Sequence, residues 1–155
     1  MNTCKRYIIG FGNYARDDDG IGLRVVEHIV EKSLDKGFDA VEAGNDGMRL
    51  LTYFAETTGK ILIVDCALVD LSAGDWMIFD IDDASSRKKM KKMSTHDGDL
   101  LALYDNARKM NFFMPKIKVM AIQPESLSMN MTLSSSLASR VPEYAAAAIE
   151  EIGKD

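Results

Sequence analysis

The sequence predicts a single-domain α/β protein: a twisted, mostly parallel five-stranded sheet with one antiparallel strand and helices on both faces. Apolar runs of strand length alternate with segments of helical spacing in a β-α-β-α-β order, which joins parallel strands through crossover helices. The run Ile61-Leu62-Ile63-Val64 is apolar without interruption, as expected of a central strand covered on both sides. The 155 residues suffice for one sizeable core and are too few for two ordinary domains, so 1–155 is read as one unit.

Lys5 to Phe11 reads as the first strand. Gly20 to about Leu34 is the first helix, with Ile21, Val25, Val26, Ile29 and Val30 at helical spacing. Phe38 to Glu42 is a second, short strand, and Gly47 to Glu56 a helix with Leu50, Leu51 and Phe54 on one face. The third strand ends on Asp65. Ala73-Gly74-Asp75 is a turn before Trp76 to Ile81, whose nearness in sequence suggests an antiparallel neighbour or edge strand. After a basic segment, Asp99 to Met110 is helical through Leu100, Leu101, Tyr104 and Ala107. Lys116 to Ile122 is a strand and Ser135 to Ile152 a closing helix. There is no internal repeat, long linker or low-complexity tract.

Composition narrows the function classes. The chain is 46% apolar with a formal charge of −5, and no window approaches the roughly 20 apolar residues that span a bilayer. A soluble protein without membrane insertion is expected. The acidic balance argues against non-specific nucleic-acid binding, which depends on clustered Lys and Arg. The apolar run after Lys5-Arg6 is short and leads into an acidic loop, unlike a secretory leader, so the cytoplasm is the expected compartment. Cys4 and Cys66 are far apart and outside any Cys-x-x-Cys spacing, so neither a disulfide framework nor a structural zinc site is indicated. Both read as buried thiols.

The most informative stretch runs from Ile8-Ile9-Gly10-Phe11-Gly12-Asn13 to Asp17-Asp18-Asp19-Gly20-Ile21-Gly22. It places a glycine-hinged loop and a knot of carboxylates between a strand and a helix. Three adjacent aspartates repel one another unless a cation, a proton or the helix N-terminus compensates, so a positive partner is expected. In a parallel sheet the loops at the strands' carboxyl ends share one rim. Asp19 follows the first strand, the 42–46 loop the second, and Asp65 caps the third. His96 joins them from Ser94-Thr95-His96-Asp97, where Ser94 with Asp97 fits a capping box. That box puts His96 in a first helical turn, where the dipole disfavours imidazolium and leaves the neutral, metal-binding form. Asp19, Asp65 and His96 then make an O,O,N set on an accessible rim, suited to nickel or zinc with coordination positions left open. Each residue alone has a plainer reading. Asp18 or Asp19 could cap the helix, Asp65 could be a turn residue and His96 a capping or surface histidine. The basic run Arg87-Lys88-Lys89, Lys91-Lys92 reads as a solvated face that could also steer an acidic partner.

Taken together, these pieces resemble the maturation endopeptidases of nickel-iron hydrogenases. The matching residues are Gly10-Phe11-Gly12-Asn13 with Asp18-Asp19-Gly20-Ile21-Gly22, then Ile63-Val64-Asp65, then Ser94-Thr95-His96-Asp97 with Leu100-Leu101, and finally Gln123-Pro124-Glu125-Ser126-Leu127 with Leu133-Ser134. They occur in family order and span nearly the whole chain. The resemblance implies a peptidase that removes a C-terminal extension from the hydrogenase large-subunit precursor once nickel has been installed. It implies Asp19, Asp65 and His96 as both the nickel-recognising and the catalytic positions. No permanent cofactor is implied, since the nickel arrives with the precursor. One departure is the second-strand loop, Glu42-Ala43-Gly44-Asn45-Asp46-Gly47 here and often Asp-x-Gly-Thr-x-Gly in relatives, a loop associated in the family with substrate recognition.

The chain has no Gly-x-Ser-x-Gly elbow and no His-Glu-x-x-His motif, so neither serine-hydrolase nor zincin mechanics is signalled. Two other readings stay open at this point. Gly10-Phe11-Gly12-Asn13-Tyr14-Ala15 formally matches a dinucleotide-binding G-x-G-x-x-A, although Asp17 to Asp19 would face the pyrophosphate with negative charge. A nickel-dependent assembly chaperone that binds the precursor without cutting it would use the same ligands. The attacking group and any part played by Asp17, Asp18 or Glu42 are not assigned by sequence.

Overall fold

A computed structural model describes residues 4–90, 92–93 and 100–155 of the chain. The strands are β1 (Lys5–Gly10), β2 (Asp39–Glu42), β3 (Thr58–Leu68), β4 (Trp76–Asp80), β5 (Lys92–Met93) and β6 (Lys116–Ile122). The helices are α1 (Ile21–Glu31), α2 (Ala84–Lys89), α3 (Leu100–Lys109), α4 (Ser135–Ala138) and α5 (Val141–Gly153). The sheet runs β2-β1-β3-β6-β4. β2, β1, β3 and β6 are parallel, and β4 lies antiparallel against β6 at the edge, which is the expected mostly parallel arrangement with one antiparallel strand. A further strand, the two-residue β5, pairs antiparallel with Ala67 and Leu68.

Side chains alternate across the sheet, so the apolar β3 run divides between two cores. Ile61 and Ile63 join Ile9, Leu50, Leu100 and Tyr104 on one face. Leu62 and Val64 join Ile8, Val25, Ile29, Tyr144 and Ala148 on the other. Helices therefore cover both faces: α3 and the 47–53 segment on the first, α1 and α5 on the second. Among the described residues no helix is long and apolar enough to cross a membrane.

Three elements differ from the sequence expectation. The segment Gly47–Tyr53 is a 3-10 helix capped by Asp46, whose side chain accepts the Met48 N–H at 3.0 Å. It buries only Leu50 fully, too little to hold a longer α-helix. The closing helix breaks into α4 and α5 because Pro142 has no N–H to continue the ladder but fits the first turn of a new helix. β3 runs past Asp65 to Leu68, because β6 pairs with it through Cys66 and β5 beyond that. Of the two thiols only Cys66 is buried; Cys4 is exposed, against expectation.

At the opposite end of the sheet, cations gather on the C-terminus of α5. Arg6 donates to the carbonyl oxygens of Ile152 at 2.7 Å and Lys154 at 2.8 Å, and Lys60 Nζ to that of Glu151 at 2.5 Å. Positive charge at a helix C-terminus satisfies carbonyls left over by the helix and favours its dipole.

Candidate active site

From β1 the chain passes to β2 on one side, while β3 lies on the other. The carboxyl ends of β1 and β3 thus form the switch point where α/β sheets open a crevice. Gly10, the last residue of β1, lies opposite Val64, β3 continues beyond it, and the Phe11 N–H donates to Val64 O at 3.0 Å. The backbone is packed too closely for side chains. A Cβ on Gly22 would lie 2.2 Å from Val64 O and 2.4 Å from Phe11 O. Gly12, at φ 147°, would place its Cβ 2.1 Å from Asp19 O. Its N–H donates to Gly44 O at 2.8 Å and ties the first-strand loop to the second. These contacts draw Asp19 down onto the ends of β1 and β3. A dinucleotide motif keeps its second glycine bare for a pyrophosphate; Gly12 is bare for the chain's own Asp19 backbone.

Asp17 to Asp19 form a 3-10 turn, Asp17–Gly20, that leads into α1. None of them caps that helix, whose N-cap position is Gly20. Neutral amide and hydroxyl donors take the place of the expected positive partner at Asp17 and Asp18. Asp18 Oδ2 accepts the N–H groups of Glu125 and Ser126, both at 2.9 Å, and the Ser134 hydroxyl at 2.8 Å; its Oδ1 accepts the Ser134 N–H at 2.7 Å. Asp17 Oδ1 accepts the N–H groups of Asn130 at 3.0 Å and Thr132 at 3.3 Å, while its Oδ2 accepts the Ser126 hydroxyl at 3.0 Å and the Asn130 side-chain amide at 3.3 Å. Burial alone would push the Asp17 carboxyl up, but these donors outweigh it and hold the group below the usual carboxylate range.

Asp19 and Asp65 come to the same end of the sheet, as expected, but not to an accessible rim. Asp19 is 1% exposed and Asp65 0%. Asp65 is covered because it lies inside β3, opposite Ala121 of β6, and not after the strand. Its Oδ1 accepts the Cys66 N–H at 2.8 Å. Burial pushes the Cys66 thiol far up, and the negative charges of Asp65, Asp19 and Asp18 push it further. His96, with the Ser94 to Asp97 capping box, lies outside the described residues. Among the described residues no group of three or more His, Cys, Asp or Glu side chains is arranged to hold a metal ion. Asp19 and Asp65 are thus both buried, and α3 is described from Leu100 onward.

Sequence reasoning missed Tyr14. Its hydroxyl bonds to Glu42 Oε1 at 2.9 Å and Glu27 Oε2 at 3.1 Å, with the Arg24 guanidinium 4.5 Å from the ring centroid. Burial and then the Glu42 carboxylate hold the phenol far above its ordinary range. Glu42 is thereby tethered at the edge of the site, which no spacing rule announces. The basic run is not wholly a solvated face, since Arg87 donates to Leu101 O at 3.1 Å and to Asp105 at 3.0 Å, tying α2 to α3.

Comparison with known proteins gives a consistent result. Residues 23–151 match the family described as hydrogenase maturation protease. A protein of Methanocaldococcus jannaschii assigned as a hydrogenase maturation protease is 34% identical over 83 residues, covering 53% of this chain and 54% of that one. The hydrogenase 2 maturation protease of Escherichia coli is 25% identical over 150 residues, covering 94% of this chain and 91% of that one. Among solved structures, the NiFe hydrogenase maturation protease HybD of Thermococcus kodakarensis superposes with a TM-score of 0.74 at 22% identity, covering 97% of this chain and 99% of that one. At that identity the superposition shows the shared fold alone.

Proposed function

Because the chain belongs to the hydrogenase maturation protease family and is therefore a peptidase, we propose that its reaction is removal of the C-terminal extension from a nickel-iron hydrogenase large-subunit precursor after nickel insertion. The precursor's nickel is the recognition element. The observation that carries this reading is the pair of buried carboxylates, Asp19 and Asp65, at the switch point between β1 and β3. Two carboxylates held in one poorly hydrated locality attract a divalent cation strongly, because the low dielectric that penalises each charge magnifies its attraction to the metal.

Asp19, Asp65 and His96 offer the nickel two oxygens and one nitrogen, a set suited to a borderline ion already held by its substrate. Their contribution is orientation. Anchoring the metal fixes the adjoining peptide relative to the crevice, which turns a loose encounter into a positioned one. The nickel can in addition polarise the scissile carbonyl or activate water. Asp17 and Asp18 take no part as ligands, since their oxygens are engaged by the 125–134 loop. Dependence on substrate metal makes the reaction a maturation checkpoint, because a precursor without nickel lacks the anchor.

The test is to incubate the protein with nickel-loaded and nickel-free large-subunit precursor and record intact mass. Loss of the C-terminal extension from the loaded form only is expected. Binding of loaded precursor without loss of mass would replace the peptidase reading with that of an assembly chaperone. Cleavage of both forms at one rate would remove the nickel checkpoint.

A further inference from the structure

We propose that Asp17 and Asp18 are positioning residues that hold the 125–134 loop as a wall of the substrate site, and that Met129 and Met131 on this wall contact an apolar stretch of the precursor chain. The inference rests on the peptidase reading above and extends it to the part of the site that reads the polypeptide.

The loop has no helix or strand of its own. Its shape comes from the two carboxylates, which receive five of its backbone N–H groups, those of Glu125, Ser126, Asn130, Thr132 and Ser134. The Asp18 N–H returns a bond to Ser126 O at 3.1 Å. Two buried carboxylates thus serve one short loop, immediately before Asp19 in the chain. Asp17 is bound most specifically: Oδ1 takes the N–H groups on either side of Met131 and pins that residue at φ 60°. A non-glycine residue in the left-handed region costs conformational energy and persists only where its surroundings enforce it, as at binding sites. Among the side chains this loop presents to solvent are two thioethers, Met129 at 67% and Met131 at 66% exposure. Exposed methionines add nothing to the core, and their soft, adaptable side chains suit a peptide surface. The occupant is the precursor chain because the wall is built on the residues adjoining Asp19.

The experiment measures kcat and KM with nickel-loaded precursor for the wild type, Asp17→Ala, Asp17→Asn and the double variant Met129→Ser/Met131→Ser. Asp17→Ala removes both acceptors and is expected to raise KM about tenfold with kcat changed by less than about twofold, the signature of lost uniform binding. Asp17 sits at φ 45°, which Asn also tolerates, and Asp17→Asn keeps Oδ1 for the two N–H groups around Met131, so it should restore KM to within about twofold of wild type. The methionine pair is exposed, so its replacement should raise KM about fivefold while leaving the thermal midpoint unchanged. Wild-type KM in the methionine double variant, or in a folded Asp17→Ala, overturns the proposal, as does an Asn variant no better than Ala. If Asp17→Ala does not fold, the methionine variant decides alone. A wild-type protein that leaves loaded precursor intact overturns the peptidase reading itself, a result distinct from an active enzyme indifferent to these residues.

Discussion

Ser134 grips Asp18 twice across 116 residues of sequence, its N–H on one carboxylate oxygen at 2.7 Å and its hydroxyl on the other at 2.8 Å. Asp18 is fully buried, and the bonds it receives are themselves partly buried. Charge-assisted bonds of this kind are about twice as strong as neutral ones, and unmaking them leaves the donors unsatisfied.

The two ends of this contact should respond unequally to mutation. Ser134→Ala removes one donor and leaves Asp18 its three N–H partners, a loss of about 1 to 2 kcal/mol. Asp18→Ala strands those three N–H groups and should cost about 3 to 5 kcal/mol. Urea midpoints of the two variants at neutral pH check the order.

Asp19→Asn and Asp65→Asn should leave a folded protein with native circular dichroism that no longer processes loaded precursor. The amide retains the shape and removes the charge that attracts the metal. Because both side chains are buried, the Ala variants should additionally lose stability, by about 1 to 3 kcal/mol. Asp17→Asn should be milder than Asp19→Asn. Normal processing by either of the Asp19 or Asp65 amide variants would contradict their assignment.

Glu151 should contribute to acid sensitivity. Burial alone would raise its pKa, but the ammonium groups of Lys60, Lys118 and Lys154, each 3.5 Å away, outweigh that and hold it below the usual carboxylate range. For Lys60, burial weighs against the ammonium, Glu151 partly offsets this, and Lys116 and Lys118 add to it, so the pH dependence near acid belongs to the carboxylate. With a folded pKa below the unfolded value near about 4.3, the stabilisation is complete above that value and is lost as pH falls through the folded one. The urea midpoint of the wild type should exceed that of Glu151→Gln at pH 6, and the gap should close toward pH 3 as about one proton is taken up.

Cys66 should resist thiol reagents in the native protein at pH 8, since burial and the neighbouring carboxylates keep it protonated. Cys4, which is exposed, should react. One modified thiol before unfolding in urea and two afterwards is the expected mass readout.

What the sequence determined by itself is whatever periodicity and order encode. The uninterrupted Ile61 to Val64 run announced a strand buried on both faces, and the alternation of elements announced a parallel sheet covered on both sides. The ordered motifs carried the family and named Asp19 and Asp65, both of which are buried; His96 lies outside the described residues. Tertiary structure decided what depends on partners distant in the chain. The length of β3 past Asp65 follows from pairing with β6 and β5, and with it the burial of a carboxylate whose sequence context suggested exposure. The division of labour among Asp17, Asp18 and Asp19 was equally hidden, because three identical neighbours are told apart only by the donors that reach them. Those donors sit on a loop more than 100 residues away, brought to them by the closing of the sheet.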